Sequence, residues 1–178
     1  MAATEAKPSS RTRRIFALLG TAIFLVIAPG TLDVYVPWWI SRWQVHAPFP
    51  GFTELRIAGV LLIAAAIPIL LESFARFALQ GLGTPAPVFP TQRLMVKGFY
   101  RYVRNPMYVA VVSIVFGQAL LLGSLDLLLY GAIAWLGTHL FVLFYEEPTL
   151  RKSFGAEYKA YCKNVRRWLP RLTPWHGG

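Results

Sequence analysis

The sequence predicts an all-α integral membrane protein of about four transmembrane helices, followed by a C-terminal amphipathic helix. Four apolar runs are the first observation: Ile15–Val36, Ile57–Leu71 with its flanks, Val109–Leu122 and Leu125–Tyr145. A bilayer span needs roughly 20 mostly apolar residues. The first and last runs reach that directly, and the middle two reach it with flanking residues. The second observation is where the basic residues fall. Arg11, Arg13 and Arg14 precede the first run, and Arg76, Arg93, Lys97, Arg101 and Arg104 lie between the second and third. Arg151, Lys152, Lys159, Lys163, Arg166, Arg167 and Arg171 follow the fourth, while only Arg42 and Arg56 fall on the other side. The positive-inside bias therefore puts both termini and the long middle loop in the cytoplasm, as in a protein of the bacterial inner-membrane type. The net charge of +10 is then a consequence of topology and calls for no nucleic acid partner. Third, Leu150, Phe154, Tyr158, Tyr161, Val165 and Trp168 recur at steps of three and four. That is an amphipathic helix with a basic opposite face, suited to lying along an anionic leaflet.

Taken in order, residues 1–10 are polar and small and are expected to be a disordered tail. Residues 11–171 form one domain, and 172–178 a C-terminal tail. Arg13-Arg14 before an apolar run has the look of a secretion signal, but no small-x-small cleavage site follows Ala28, so a retained first helix is expected. Trp38, Trp39 and Trp43 in the connection Pro37–Gly51 suit the outer interface, and His46 reads as a solvated loop residue. Pro68 should kink the second span. Glu72 and Arg76 stand four apart, the spacing of an ion pair on one helical face. Gly81–Pro90 is Gly/Pro-rich and is either a linker or one wall of a pocket. Gly123-Ser124 leaves a very short turn, so the last two spans form an antiparallel hairpin. On the fourth span Trp135, His139 and Glu146 share one helical face, which makes Trp135 and His139 candidates for contact with a substrate. The lone Cys162 reads as a packing residue, and no metal-ligand cluster is visible.

The stretch Gly98–Tyr108, GFYRYVRNPMY, runs straight into the third apolar run. Asparagine is a favoured N-cap and proline a favoured first helical residue, so Asn105-Pro106 predicts the start of a membrane helix flanked by arginines and tyrosines.

These residues, with a second motif, resemble the isoprenylcysteine carboxyl methyltransferase family, which includes phospholipid methyltransferase-like members. The matching residues are Gly98-x-Tyr100, Arg104-Asn105-Pro106-x-Tyr108, Glu146-Glu147-x-x-Leu150-x-x-x-Phe154-Gly155-x-x-Tyr158-x-x-Tyr161, and Val165 before Pro170. They cover about half the chain, from Gly81 to Arg171. Asn105 stands where the isoprenylcysteine enzymes have histidine and the phospholipid-type members have asparagine. The resemblance implies S-adenosyl-L-methionine in a pocket at the cytoplasmic face and a hydrophobic or lipid-embedded acceptor in the bilayer. It further implies that Gln92, Arg93, Leu94, Met95 and Tyr100 lie on the adenosine side, that Asn105, Pro106 and Tyr108 line the cofactor, and that Glu146 meets its amino-acid end.

The residue types suit that chemistry. Arg104 can pair the cofactor's carboxylate, helped by free N–H groups of the helix starting at Pro106. Glu146 can take the ammonium in a charge-assisted hydrogen bond, and Tyr100 or Tyr108 can face the sulfonium. Arg104, Asn105, Glu146 and Glu147 are thus the expected catalytic group. A carboxylate or thiolate acceptor needs no base; an amine does, with Glu147 or His139 as candidates. Two other readings stand beside the methyltransferase: an NADPH-dependent membrane reductase of similar architecture, usually a longer chain, and a non-enzymatic membrane scaffold. The scaffold gives no reason for Arg104, Asn105 and Glu146 to meet at one membrane depth.

Overall fold

The computed structural model describes residues 10–46, 52–80 and 94–177, and the regular structure there is all helical. Helix α1 (Ser10–Pro29) continues through a π turn, Gly30–Tyr35, into α2 (Val36–Ser41). Helix α3 (Phe52–Gln80) is continuous, with Pro68, expected to kink it, inside. Helix α4 (Pro106–Leu122) follows the 3-10 turn Gly98–Arg101, and α5 (Leu125–Phe141) follows at once. A second π turn, Val142–Glu146, joins α5 to α6 (Glu147–Asn164). The last span and the amphipathic helix, expected as separate pieces, are therefore joined without a loop. The break comes later, at Gly155, whose φ of 47° and ψ of −114° leave the helical region.

Among the described residues, three stretches are long and apolar enough to cross a membrane: Leu18–Ser41, Phe52–Arg76 and Leu125–Asn164. The fourth apolar helix, α4, has 17 residues and rises about 26 Å, a little under the ~30 Å of a hydrocarbon core. Its shortness is matched by its position. Helix α3 packs along it on one side and α5 on another; α1 leans on α3, while α2 touches α4 and α5. One core layer joins Ala66, Leu70 and Phe74 of α3 to Met107, Ala110, Val111 and Ile114 of α4. A second joins Ala119 and Leu122 of α4 to Leu127 of α5.

Two glycines let α3 and α4 approach closely. A Cβ on Gly59 would sit 2.6 Å from the Gly117 carbonyl oxygen, and one on Gly117 would sit 2.9 Å from that of Gly59. Small residues at such crossings let membrane helices gain backbone packing. The α4–α5 turn is tight because Gly123 takes a left-handed φ of 68° and Ser124 Oγ accepts the Leu127 N–H at 3.2 Å.

The outward faces are apolar. Leu19, Ile23, Val26 and Ile27 of α1, Ile57, Leu61 and Leu71 of α3, and Leu125, Leu129, Ile133, Leu136 and Leu140 of α5 are all exposed. Apolar stripes of that extent are not left facing water; they face lipid, and the chain is an integral membrane protein. At one end, α6 packs Tyr158, Tyr161 and Val165 against Leu94, Val96 and Trp175. The tail expected after Arg171 thus carries contacts of its own.

Candidate functional site

The stretch leading into α4 is shaped by its first residue. Gly98 has φ +58°, and the Glu72–Arg76 ion pair lies directly over it, where a Cβ would collide. The turn buries Tyr100, whose carbonyl accepts the Tyr161 hydroxyl at 2.6 Å. Burial, and after it the Glu146 charge, raises the Tyr100 phenol above its ordinary pKa, so the ring stays neutral.

Asn105 occupies the N-cap position of α4, with its carbonyl accepting the Val109 N–H at 3.0 Å. The expected side-chain cap is not made. Instead Asn105 Nδ2 donates to the Arg167 carbonyl at 3.2 Å, as one rung of a strap. The Arg104 N–H donates to the Arg166 carbonyl at 2.9 Å, Arg171 N–H to Tyr102 O at 2.9 Å, and Trp175 N–H to Arg101 O at 3.0 Å. The chain after α6 therefore runs beside residues 101–105. The Asn105 side chain turns to that strap through Nδ2, and among the described residues no side chain caps the start of α4.

The two adjacent glutamates have separate partners. Glu147 is 4% exposed and gathers three guanidinium groups. Arg167 forks onto it at 2.5 and 3.0 Å, Arg104 Nη1 lies 3.1 Å away and Arg151 Nη2 3.5 Å away. Arg104 also reaches Cys162 Sγ at 2.7 Å, while its Nε is buried with no partner among the described residues. Glu146, at the end of the π turn, accepts the Tyr108 hydroxyl at 3.0 Å. The ionic bond at the Arg104 end of the hairpin is thus Arg104–Glu147, whereas Glu146 belongs to Tyr108.

His139 goes elsewhere again. Its ring stacks on Trp135 at 5.1 Å, and its Nδ1 accepts from Trp168 Nε1 at 2.9 Å. Accepting at Nδ1 leaves the proton of the neutral ring on Nε2. The π turn between 141 and 147 is why His139 and Glu146, expected on one face, meet different partners: an i→i+5 turn shifts the angular register.

Of the other expected residues, Gln92 and Arg93 lie outside the described residues. Met95 is buried, Leu94 packs half-buried against α6, and Pro106 is fully buried at the start of α4. Arg167, Trp168 and Cys162 entered the site without any signal in local spacing, while Arg151 stands four residues after Glu147, the spacing of an ion pair on one helical face. Arg167 stands 20 residues from the glutamate it holds, and Trp168 stands 29 from its histidine.

The model of the phospholipid methyltransferase family matches residues 55–157, more than half the chain and both halves of this site. The chain belongs to the phospholipid methyltransferase family. Its lipid-facing helices agree with membership of that family. A phosphatidylethanolamine N-methyltransferase of Botryotinia fuckeliana is 27% identical over 89 residues, which make up 48% of this chain. That alignment spans 9% of the fungal protein's length. An uncharacterized protein of Haemophilus influenzae is 36% identical over 70 residues, covering 35% of this chain and the whole of that protein. No solved structure matches the chain. The strap, with Arg167 and Trp168, lies beyond the family match.

Proposed function

We propose that this family member transfers a methyl group from S-adenosylmethionine to a hydrophobic or lipid-embedded acceptor, at the cytoplasmic membrane face. The observation that carries the reading is the Tyr108–Glu146 contact, set beside an uncapped helix start and an arginine with a buried, unpartnered Nε. These groups fit the two ends of an amino-acid zwitterion. The carboxylate suits Arg104 Nε and the free N–H groups of the first turn of α4; the ammonium suits Glu146. When bound, S-adenosylmethionine supplies an electrophilic methyl on a positive sulfur. The protein's contribution to an in-line displacement is proximity and orientation, which can amount to roughly 7–11 kcal/mol. The Tyr108 ring, held by its hydroxyl to Glu146 and edge-on to Phe141 at 6.5 Å, is placed to face a cation.

The acceptor is a lipid amine if the activity named for the fungal relative extends to this chain. Of the two bases named from sequence, Glu147 already serves three guanidiniums and His139 Nδ1 serves Trp168, so neither offers a free lone pair as arranged. Titration of S-adenosylmethionine and of NADPH into the detergent-solubilised protein tests the reading. We expect saturable binding of the first, weakened about tenfold or more in Glu146→Gln, each factor of ten being about 1.4 kcal/mol. Binding of NADPH without binding of S-adenosylmethionine overturns it in favour of a reductase.

A further inference from the structure

A second polar node lies well away from this site. Asp33 sits in the π turn between α1 and α2, 6% exposed, and among the described residues neither of its carboxylate oxygens has a hydrogen-bond partner. Gln118 of α4 is 8% exposed, and its Oε1 is buried and unpartnered too.

The local backbone explains where the donors went. Pro37 has no N–H, so the carbonyl it would serve in an α pattern, Asp33, or in a π pattern, Leu32, is left without that donor. Neighbouring helices serve both. Gln118 Nε2 donates to the Asp33 carbonyl at 2.7 Å, and the Tyr130 hydroxyl of α5 donates to the Leu32 carbonyl at 3.1 Å. These donations turn Gln118 Nε2 and the Tyr130 hydroxyl proton to the main chain, and leave acceptors behind: two carboxylate oxygens and an amide oxygen.

A bare carboxylate in an apolar bundle is prohibitively costly unless something neutralises it. Among the described residues no arginine, lysine or histidine forms an ion pair with Asp33. The nearest basic residue in sequence, Arg42, is exposed and lies over the Trp38 ring at 4.4 Å. A proton would neutralise the carboxylate but donate to one acceptor only, whereas a cation can be shared by all three oxygens. An all-oxygen donor set selects hard cations, and a single carboxylate balances one positive charge.

We propose that Asp33 and Gln118 form a binding site for an alkali cation, whose single charge one carboxylate balances and for which sodium is the probe, tying the first span to the α4–α5 hairpin. The node stands ten residues beyond Tyr108 on α4, about 15 Å along the helix, and so is distinct from the methyl-transfer site.

Thermal unfolding of the whole protein in detergent, in sodium chloride against choline chloride at equal ionic strength, tests this. The wild type should melt higher in sodium, with a saturable dependence. Asp33→Asn should lose that dependence, and Gln118→Ala, which keeps the charge, should shift the sodium midpoint upward by about tenfold or more. Equal melting of the wild type in both salts overturns the proposal, whether or not the variants fold. So does an undiminished sodium response in Asp33→Asn.

Discussion

Glu146 and Glu147 are neighbours in the chain and strangers in the fold. Glu146 ends the π turn and meets one phenol; Glu147 opens α6 and meets three arginines. The Arg151 contact follows from i,i+4 spacing, but Tyr108 stands 38 residues before Glu146 and Arg167 20 residues after Glu147. Those two partners are therefore not legible in the motif. Exposure ranks the contacts of Glu147. Its side chain is 6% exposed and that of Arg104 11%, against 65% for Arg151, so the Arg151 contact contributes little. Removing one partner of a buried pair typically costs about 3–5 kcal/mol, because a charge is left unpaired. Glu147→Gln should therefore lower the melting temperature sharply without any cofactor present, whereas Glu146→Gln should act on cofactor affinity and leave melting nearly unchanged. Melting curves for both variants check the separation. An unchanged Glu147→Gln melt would mean that the arginine cluster does not hold the strap.

Among the helices, hydropathy read the elements well and their junctions poorly. The four apolar runs became helices because length and composition alone decide that. The two π turns left no trace in the pattern, since one extra residue in a turn changes register and not hydrophobicity. Asn105 shows the same limit: the helix start was legible in Asn-Pro, but the side chain's choice of Arg167 over a cap needs a segment 62 residues away. Glycines inside apolar runs look alike in sequence, yet structure sorts them. At Gly59 a Cβ would meet backbone atoms, Gly117 O at 2.6 Å and Leu121 N at 2.8 Å; at Gly137 it would meet nothing within 4 Å. Alanine gains about 1 kcal/mol over glycine in a helix interior, and overpacking costs about 1–3 kcal/mol. Backbone cannot swing aside as a side chain can, so Gly59→Ala should destabilise while Gly137→Ala is neutral or stabilising. Thermal unfolding of the two in one detergent reads the difference, and equal shifts would show that the α3–α4 crossing tolerates separation.

At the scale of the molecule, the bundle has two unlike ends, and the charge difference between them was the most legible feature of the sequence. One end gathers Arg101, Arg104, Arg167 and the glutamates with the strap across them; the other carries Trp38, Trp39 and Trp43, all exposed. Of the four expected spans, the short, sheathed α4 is the one whose helix relies on its flanks to cross. Parity makes its crossing measurable. If α4 crosses with the three longer stretches, both termini share a side; if it does not, they part. Helix α4 joins to α5 through a two-residue turn and packs along α3, so leaving it outside the bilayer would strand its apolar length in water. Taking an arginine into the bilayer centre costs about 2.5–3.5 kcal/mol on insertion scales, which opposes moving the Arg101–Arg104 end across. We therefore expect reporter fusions at Met1 and Gly178 to report the cytoplasm and a fusion at Gln44 the opposite side. Fusions at Met1 and Gly178 on opposite sides would remove α4 from the membrane. A fusion at Gln44 on the cytoplasmic side would turn the bundle over and put Glu146 on the face away from the cytoplasm, against the proposed use of S-adenosylmethionine.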